Sequence, residues 1–350
     1  MQLSNGYYIS YEKDSTLIVY DHAFNCNEIN NLKNSKELIY NISEKKSNYE
    51  NSIELIVCCI YNIYLIQLNK TKLNSIKSFQ IPTMSCYLCY EINKNEYILS
   101  GETSTIFCKN LFKEEKSKVS YTKISKDVYR SGKKIADNII ALSSNNVIKN
   151  GKDNLSLYNT ETQKMEKISG YSYIYEKNGL SFMKVNGYKI LLCACKKYLP
   201  EQKNGIVIVN LSNTNNEIIS ENFFATDNFE VNCFMPILKI RNNNVDKFAV
   251  ENVEIEETEY FFAGGFDEEK GEGIIQLYKI FDVNEENNVS IEYLQDIDFV
   301  YNEKFRGFEG NITCIEQSKI NGNILINSSN GNIYLFSKPN LEYYLNETEI

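Results

Sequence analysis

The chain has 350 residues, of which 43% are hydrophobic and 24% charged, and its net charge is −9. That apolar content excludes a disordered chain, and the acidic balance excludes a general nucleic-acid binder, which needs a basic field to meet phosphates. Four prolines and few helix-capping patterns lead to an all-β expectation.

The start, MQLSNGYYIS, has no basic stretch followed by an apolar run, so no secretory signal is expected. Ten cysteines without such a signal point to free thiols, a reducing compartment and a cytoplasmic location. Residues Ser10 to Asp21, SYEKDSTLIVYD, then read as strand, tight turn and strand. The most membrane-like stretch, Ile53 to Leu68, is broken by Glu54, Asn62 and Gln67. It falls short of the ~18 uninterrupted apolar residues of a membrane span. It reads as a hairpin turning at Tyr61-Asn62.

Five more pairs of β-branched or aromatic runs follow: 97–101 with 105–109, 139–143 with 154–159, 188–195 with 205–211, 259–265 with 273–280, and 323–328 with 332–336. The first five pairs start about 42 to 50 residues apart, close to the ~40–45-residue propeller period. The later intervals are longer, which places insertions around residues 242–258 and 266–272. Each hairpin would supply the middle strands of a four-stranded antiparallel blade. Inner strands are expected at Ser85–Ile92, Val231–Ile240 and Ile312–Gln317, and more polar outer strands at Ser75–Gln80, Lys164–Ile168 and Ser290–Leu294. The expected fold is a single seven-bladed β-propeller over residues 1–350, with six or eight blades as alternatives. The C-terminal LEYYLN, residues 341–346, is expected to complete the first or last blade, because an unpaired strand is an aggregation edge.

The segment Gly310–Phe336, GNITCIEQSKINGNILINSSNGNIYLF, resembles one repeat of the WD propeller family, and the first hairpin resembles half of another. That family ties each blade with a tetrad of Trp, Ser/Thr, His and Asp. The resemblance assigns Ser10 and Asp14 as remnants, with Tyr20 in the Trp place. In the last blade Asn330 stands for the Asp and Phe336 for the Trp. The chain has no Trp, and its single histidine, His22, is placed after a third strand, away from the tetrad position. Burial of one Ile, Val or Phe contributes about 1.5–3 kcal/mol against about 0.5–1.5 for a hydrogen bond, so packing is expected to replace the tetrad.

The remaining motifs read as structure. Cys86-x-x-Cys89 has half-zinc-site spacing, but residues three apart on a strand face opposite sides, so both are expected in the core. His22 has no strained nucleophile turn beside it. The run FAGGFDEEKGEG, within Phe261–Gly273, lacks a phosphate-loop context and the alternation of a calcium loop, so it is expected to be a long hairpin turn. Lys304-Phe305-Arg306-Gly307 resembles the Phe-Arg-Arg-Gly motif of phosphoinositide-binding propellers but lacks the second arginine of the paired grip. No metal or cofactor and no catalytic residue is expected.

Charge asymmetry supplies the binding candidates. From Lys109 to Lys134 basic residues dominate, including Lys113, Lys116, Lys118, Arg130, Lys133 and Lys134; from Glu251 to Glu272 acidic residues dominate, including Glu254, Glu256, Glu257, Asp267, Glu268 and Glu269. Such surfaces steer partners more than they hold them. The expected function is a non-catalytic platform for protein or peptide partners, monomeric in isolation. The alternatives are a membrane-recruited adaptor binding anionic lipid through the basic region, and a propeller hydrolase or lyase.

Overall fold

A computed structural model describes residues 3, 7–11, 15–21, 25–29, 32, 37–45, 52–80, 85–113, 119–136, 138–144, 155–168, 174–196, 203–212, 218–237, 257–281, 283, 289–297, 308–318 and 322–336. The first sheet contains β1 (Tyr8–Tyr11), β2 (Leu17–Tyr20) and β3 (Cys26–Ile29); the second contains β4 (Ile39–Lys45), β5 (Ser52–Cys59), β6 (Asn62–Asn69) and β7 (Lys72–Gln80). The third contains β8 (Cys86–Asn93), β9 (Glu96–Gly101), β10 (Thr105–Lys109) and β11 (Ser120–Ser125). The fourth contains β12 (Ser131–Ala136), β13 (Ile139–Ser143), β14 (Leu155–Asn159) and β15 (Lys164–Ile168). The fifth contains β16 (Ile174–Val185), β17 (Tyr188–Lys196), β18 (Gly205–Leu211) and β19 (Ile218–Ala225). The sixth contains β20 (Phe229–Pro236), β21 (Tyr260–Asp267), β22 (Glu272–Phe281) and β23 (Ser290–Asp296); the seventh contains β24 (Ile312–Gln317), β25 (Ile324–Ser328) and β26 (Ile333–Phe336).

The architecture is all-β, a seven-bladed β-propeller of antiparallel sheets. Among the described residues, five sheets have four strands and the first and last have three. All seven expected hairpins are present, and strands pair in chain order within every sheet. Residues 341–346 and the strand expected there lie outside the described residues, as does Asp14. Residue 22 also lies outside them; β2 ends at Tyr20 and β3 begins at Cys26, so it falls before the third strand of its sheet and not after it.

The chain forms two compact units, Met1–Gly132 with Ser156–Lys167, and Lys133–Leu155 with Ile168–Ile350. In the first unit, Leu55, Val57 and Cys59 of β5 pack with Ile9, Leu17 and Val19 of the first sheet. The intervening Ile56 and Cys58 pack with Cys86, Cys89, Leu99 and Cys108 of the third sheet. In the second unit, Phe261 and Ala263 of β21 pack with Leu192 and Ile208, whereas Phe262 packs with Phe308 and Ile312. Successive side chains of a strand point to opposite faces, so one middle strand fills two separate apolar layers. This is why ILLCAC and GIVIVNL read as continuous apolar runs. Outer strands such as β11 and β15 are mostly exposed.

Two local expectations are corrected. A register shift between Cys86 and Leu88 brings Cys86 and Cys89 into one layer with Cys58, instead of onto opposite faces. Burial, the foremost cause, raises the Cys58 thiol well above its ordinary value. All ten cysteines are unpaired, and eight are buried. The run from Phe261 also stays in strand through Asp267, so its turn is only residues 268–271. Its glycines serve close packing: a Cβ on Gly265 would sit 1.9 Å from the Glu230 carbonyl oxygen, and one on Gly264 would sit 2.7 Å from the Ile312 and Ile315 side chains.

Among the described residues, hydroxyl groups tie the third sheet to the chain that follows it. Ser100 Oγ and Thr105 Oγ1 lie 2.9 Å apart, Thr105 Oγ1 donates to the Asp127 carbonyl at 2.7 Å, and the Tyr129 amide donates to Ser100 Oγ at 2.7 Å. Because Thr105 uses its proton on Asp127, Ser100 must donate to Thr105, which gives a one-way relay from the Tyr129 N–H to the Asp127 C=O. It fixes the third hairpin to the chain entering the fourth sheet. The Tyr129 hydroxyl continues to Ser156 Oγ at 2.8 Å. In the seventh sheet Asn330 does act locally, its Oδ1 accepting from Ser328 Oγ and, at 3.4 Å, from the Asn332 amide.

Thr105→Val is expected to cost about 1–3 kcal/mol in urea unfolding, because it orphans buried polar groups. Ser10→Ala, at the tetrad position of a half-buried strand, should stay within about 0.5 kcal/mol. Equal losses would return the leading role to the tetrad position. Gly265→Ala should cost about 1–3 kcal/mol or more through overpacking. Gly271→Ala, at φ 71° with open space around it, should cost only about 1 kcal/mol.

Candidate functional site

Because strands pair in chain order and antiparallel, each sheet has an entry end, where its first strand begins, and a far end. At the entry end of the second sheet, Glu37 is 7% exposed. Its carboxylate accepts from Asn62 Nδ2, from the Tyr61 amide at 3.4 Å and from the Tyr64 hydroxyl at 3.4 Å. Its carbonyl accepts from Ser15 Oγ. Burial, with Glu37 beside it, pushes the Cys59 thiol up to about 12. Glu37 thus anchors the β5–β6 turn against the start of β4, and this anchored corner carries two large apolar side chains outward. Leu38 is 51% exposed and Tyr61 70%.

Two residues beyond Leu38, the Tyr40 ring meets the Tyr87 ring edge-on, with centroids 4.9 Å apart and planes at 85°. Tyr40 and Tyr87 occupy the second positions of β4 and β8, and Arg130 directly precedes β12. The Arg130 guanidinium carbon lies 4.7 Å from the Tyr87 ring centroid, within range of a cation–π contact. Its Nε is buried and has no hydrogen-bond partner among the described residues. Burial, then the Glu102 carboxylate, raises the Tyr87 phenol above its ordinary value against the opposing pull of Arg130. The result is an entry end with two exposed apolar side chains, two phenols packed edge-to-face and an arginine over one of those rings.

The charged residues singled out by sequence are placed in the structure only in part. Lys113 is exposed beyond β10, at the far end of the third sheet, whereas Arg130 follows β11 at the entry end. Lys133 and Lys134 lie on β12. Lys116, Lys118, Glu254 and Glu256 lie outside the described residues, as does the segment 304–307. Glu257 is exposed at the far end of the sixth sheet, bridged through its backbone to Lys184. Asp267, Glu268 and Glu269 lie at the entry end of that sheet.

The acidic turn is largely compensated from within. Asp267 Oδ1 accepts from the Glu269 amide at 2.9 Å and the Lys270 amide at 3.0 Å, an Asx-type closure. Glu269 accepts from Asn228 Nδ2 at 3.2 Å. Lys270 Nζ reaches Asp296 at 2.9 Å and Asp267 at 3.7 Å. Asp296 also accepts from Gln276 Nε2 at 3.0 Å and the Tyr293 hydroxyl at 2.9 Å. Burial pushes the Asp296 carboxyl up, but the hydrogen bonds from Lys270, Tyr293 and Gln276 outweigh it and hold the group below its ordinary value of 3.8. Among the described residues no three His, Cys, Asp or Glu side chains are gathered so as to hold a metal ion. No described helix is long and apolar enough to cross a membrane.

Sequence reasoning singled out Arg130 by its charge but missed Leu38, Tyr61, Tyr40 and Tyr87. The usable signal was positional: Tyr40, Tyr87 and Arg130 recur at the entry to three successive first strands, one repeat apart.

No family model matches the chain, and no curated protein sequence does. Among solved structures it is similar to one described as dihydro-heme d1 dehydrogenase NirN in complex with DHE, at 11% identity and a TM-score of 0.58 over 96% of this chain and 63% of that one. It is also similar to one described as the structure of the Dos1 propeller, at 9% identity and a TM-score of 0.49 over 94% of this chain and 87% of that one. At 11% identity the first likeness is one of fold alone, and this chain spans only 63% of the NirN length.

Asp296→Asn should lower stability by about 0.5–1.5 kcal/mol at neutral pH, the scale of one hydrogen-bonded charge shared with an exposed lysine. Since the folded carboxyl titrates below 3.8, its contribution is present above that pH and is lost as pH falls through the folded value. Urea unfolding from pH 7 downward should therefore show the two proteins converging in acid. A gap that widens in acid would contradict this assignment.

Proposed function

We propose that this chain is a non-catalytic, divergent WD-like propeller that binds protein or peptide partners, acting as a monomer in the cytoplasm. The observation that carries this reading is the corner at the entry ends of the second and third sheets. There Leu38 and Tyr61 stand exposed, Tyr40 meets Tyr87 edge-to-face and Arg130 lies over the Tyr87 ring. Tyr and Arg are the residue types enriched where interfaces concentrate their binding energy, and large apolar neighbours exclude water around them. Their mounting on strand ends and a carboxylate-anchored turn limits the entropy lost on docking. The hairpin period and the Ser328–Asn330 contact support the WD likeness. Ten unpaired cysteines, eight of them buried, support a reducing compartment. The separation of Lys113 from Arg130 across the third sheet favours a protein partner over an anionic lipid surface, which would need one basic field.

The test is affinity purification of the full chain from its native cell, compared with the double variant Leu38→Ser/Tyr61→Ser. Partners held by the wild type should be lost from the variant by roughly thirtyfold or more, the scale of a ~2 kcal/mol hot spot. The urea midpoint should stay unchanged, because both side chains face solvent. Full retention of every partner by the variant would refute the reading, as would strong sedimentation of the wild type with acidic vesicles and no protein partner.

A further inference from the structure

The hairpin between β16 and β17 turns in two residues, since Val185 pairs directly with Tyr188 across it. Those two are Asn186 and Gly187, both exposed and both left-handed, with φ of 48° and 81°. This is the type I′ geometry for which Asn-Gly is a preferred pair. The same pair can also react with itself. Asparagine Cγ and the following main-chain nitrogen close a five-membered ring, and glycine has no side chain to shield that nitrogen.

Seven Asn-Gly steps occur in the chain; for three, beginning at Asn186, Asn204 and Asn330, the burial of both residues is described. They differ in the two groups that must meet. Asn204 is 0% exposed, and Gly205 is paired in the ladder between β17 and β19, where a Cβ would lie 2.4 Å from the Phe224 carbonyl oxygen. Asn330 is exposed but held: Oδ1 accepts from Ser328 Oγ and the Asn332 amide, and Nδ2 donates to Glu309 at 3.3 Å. The Gly331 amide donates to the Ser328 carbonyl at 3.1 Å. Among the described residues nothing holds the Asn186 side chain or the Gly187 amide. The one atom within 4 Å of a Cβ built on Gly187 is Glu257 Oε1, at 4.0 Å, so the turn has room to rotate.

Charge separates the sites as well. Lys184 and Lys189 face each other across the hairpin, one position beyond the pair that closes the turn. Burial, then the neighbouring Lys184, holds the Lys189 ammonium below its ordinary value. Two cations favour the negative charge that develops when the nitrogen adds to Cγ, with Glu257 opposing them. At Asn330 the side chain in contact is the Glu309 carboxylate.

We infer that Asn186-Gly187 is a site of spontaneous deamidation in the folded protein, an age-dependent modification at the far end of the fifth sheet. The Gly187 nitrogen gives its proton to a base and bonds to Asn186 Cγ. The Cγ–Nδ2 bond breaks, and Nδ2 leaves as ammonia with a proton from solvent. Water then opens the cyclic imide at either carbonyl, to aspartate or isoaspartate; no electrons are transferred. Aspartate adds a negative charge and keeps the turn, since Asp-Gly also suits type I′. Isoaspartate adds the same charge and also puts one more carbon into the main chain between Val185 and Tyr188. The inference is independent of the partner-binding reading above.

The test ages the full chain at neutral pH, folded in buffer and in parallel unfolded in urea, and follows each Asn-Gly peptide by mass, with enzymatic methylation to detect isoaspartate. In the folded chain Asn186 should convert about tenfold or more faster than Asn330, the scale of the hydrogen bonds that Asn330 must first break. Asn204 should be slower still. In urea the three rates should converge. Ser328→Ala should speed Asn330 and leave Asn186 unchanged. A folded chain in which Asn186 is no faster than Asn330, or is protected as fully as Asn204, overturns the inference. So does a preference for Asn186 that persists undiminished in urea, which would belong to the flanking residues and not to the turn.

Discussion

Everything in this fold depends on middle strands that are buried on both faces. A strand of an ordinary two-layer sheet needs apolar residues at alternate positions only, with water on the other side. Here β5 sends Leu55 and Val57 to one layer and Ile56 and Cys58 to the next, and β21 divides Phe261 and Phe262 in the same way. That demand explains the unbroken apolar runs, the burial of eight cysteines as small hydrophobes, and the glycines of β21 where neighbouring groups approach too closely for a Cβ.

The same demand selects large aromatic side chains for the layers. Large rings fill the layers between sheets: Tyr97, Tyr129, Tyr158, Tyr278, Phe261 and Phe262 are all fully buried. Phe261 and Tyr278 stack at 5.3 Å. Side-chain to main-chain bonds also link neighbouring sheets. Examples are Asn27 to the Thr71 carbonyl, Ser43 to the Cys89 carbonyl and Asn232 to the Ile312 carbonyl. Each uses a different residue pair, so no repeated signature marks them.

This explains which parts of the molecule were legible in sequence. The seven hairpins were visible because their information is local: a β-branched run, an Asn- or Gly-bearing turn and a second run. Cys86 and Cys89 are core residues as expected, but their expected facing failed because a bulge, which inverts the facing of residues beyond it, leaves no mark in spacing. The glycines of β21 were assigned to a turn because their reason, the Glu230 carbonyl and the Ile312 side chain, lies on other strands. Arg130 was conspicuous as a charge, yet its stacking on Tyr87 joins residues a full repeat apart, in a chain with 26 tyrosines. Charge runs read along the chain also hide their splitting. Antiparallel strands carry Lys113 and Arg130 to opposite ends of one sheet, so adjacency in sequence says little about adjacency on the surface.

The division of one strand between two layers has an evolutionary consequence. Leu55 and Ile56 are covalent neighbours that answer to different partners, while Ile56 and Leu99 share one layer across two sheets. Compensation for a lost methyl group must therefore come from across the seam and never from the next residue along. Each seam drifts as its own small lineage, constrained in volume but free in identity. A propeller built this way can change residue by residue within each seam and keep its shape, which fits a chain whose likeness to a solved structure is one of fold, with 11% of residues identical.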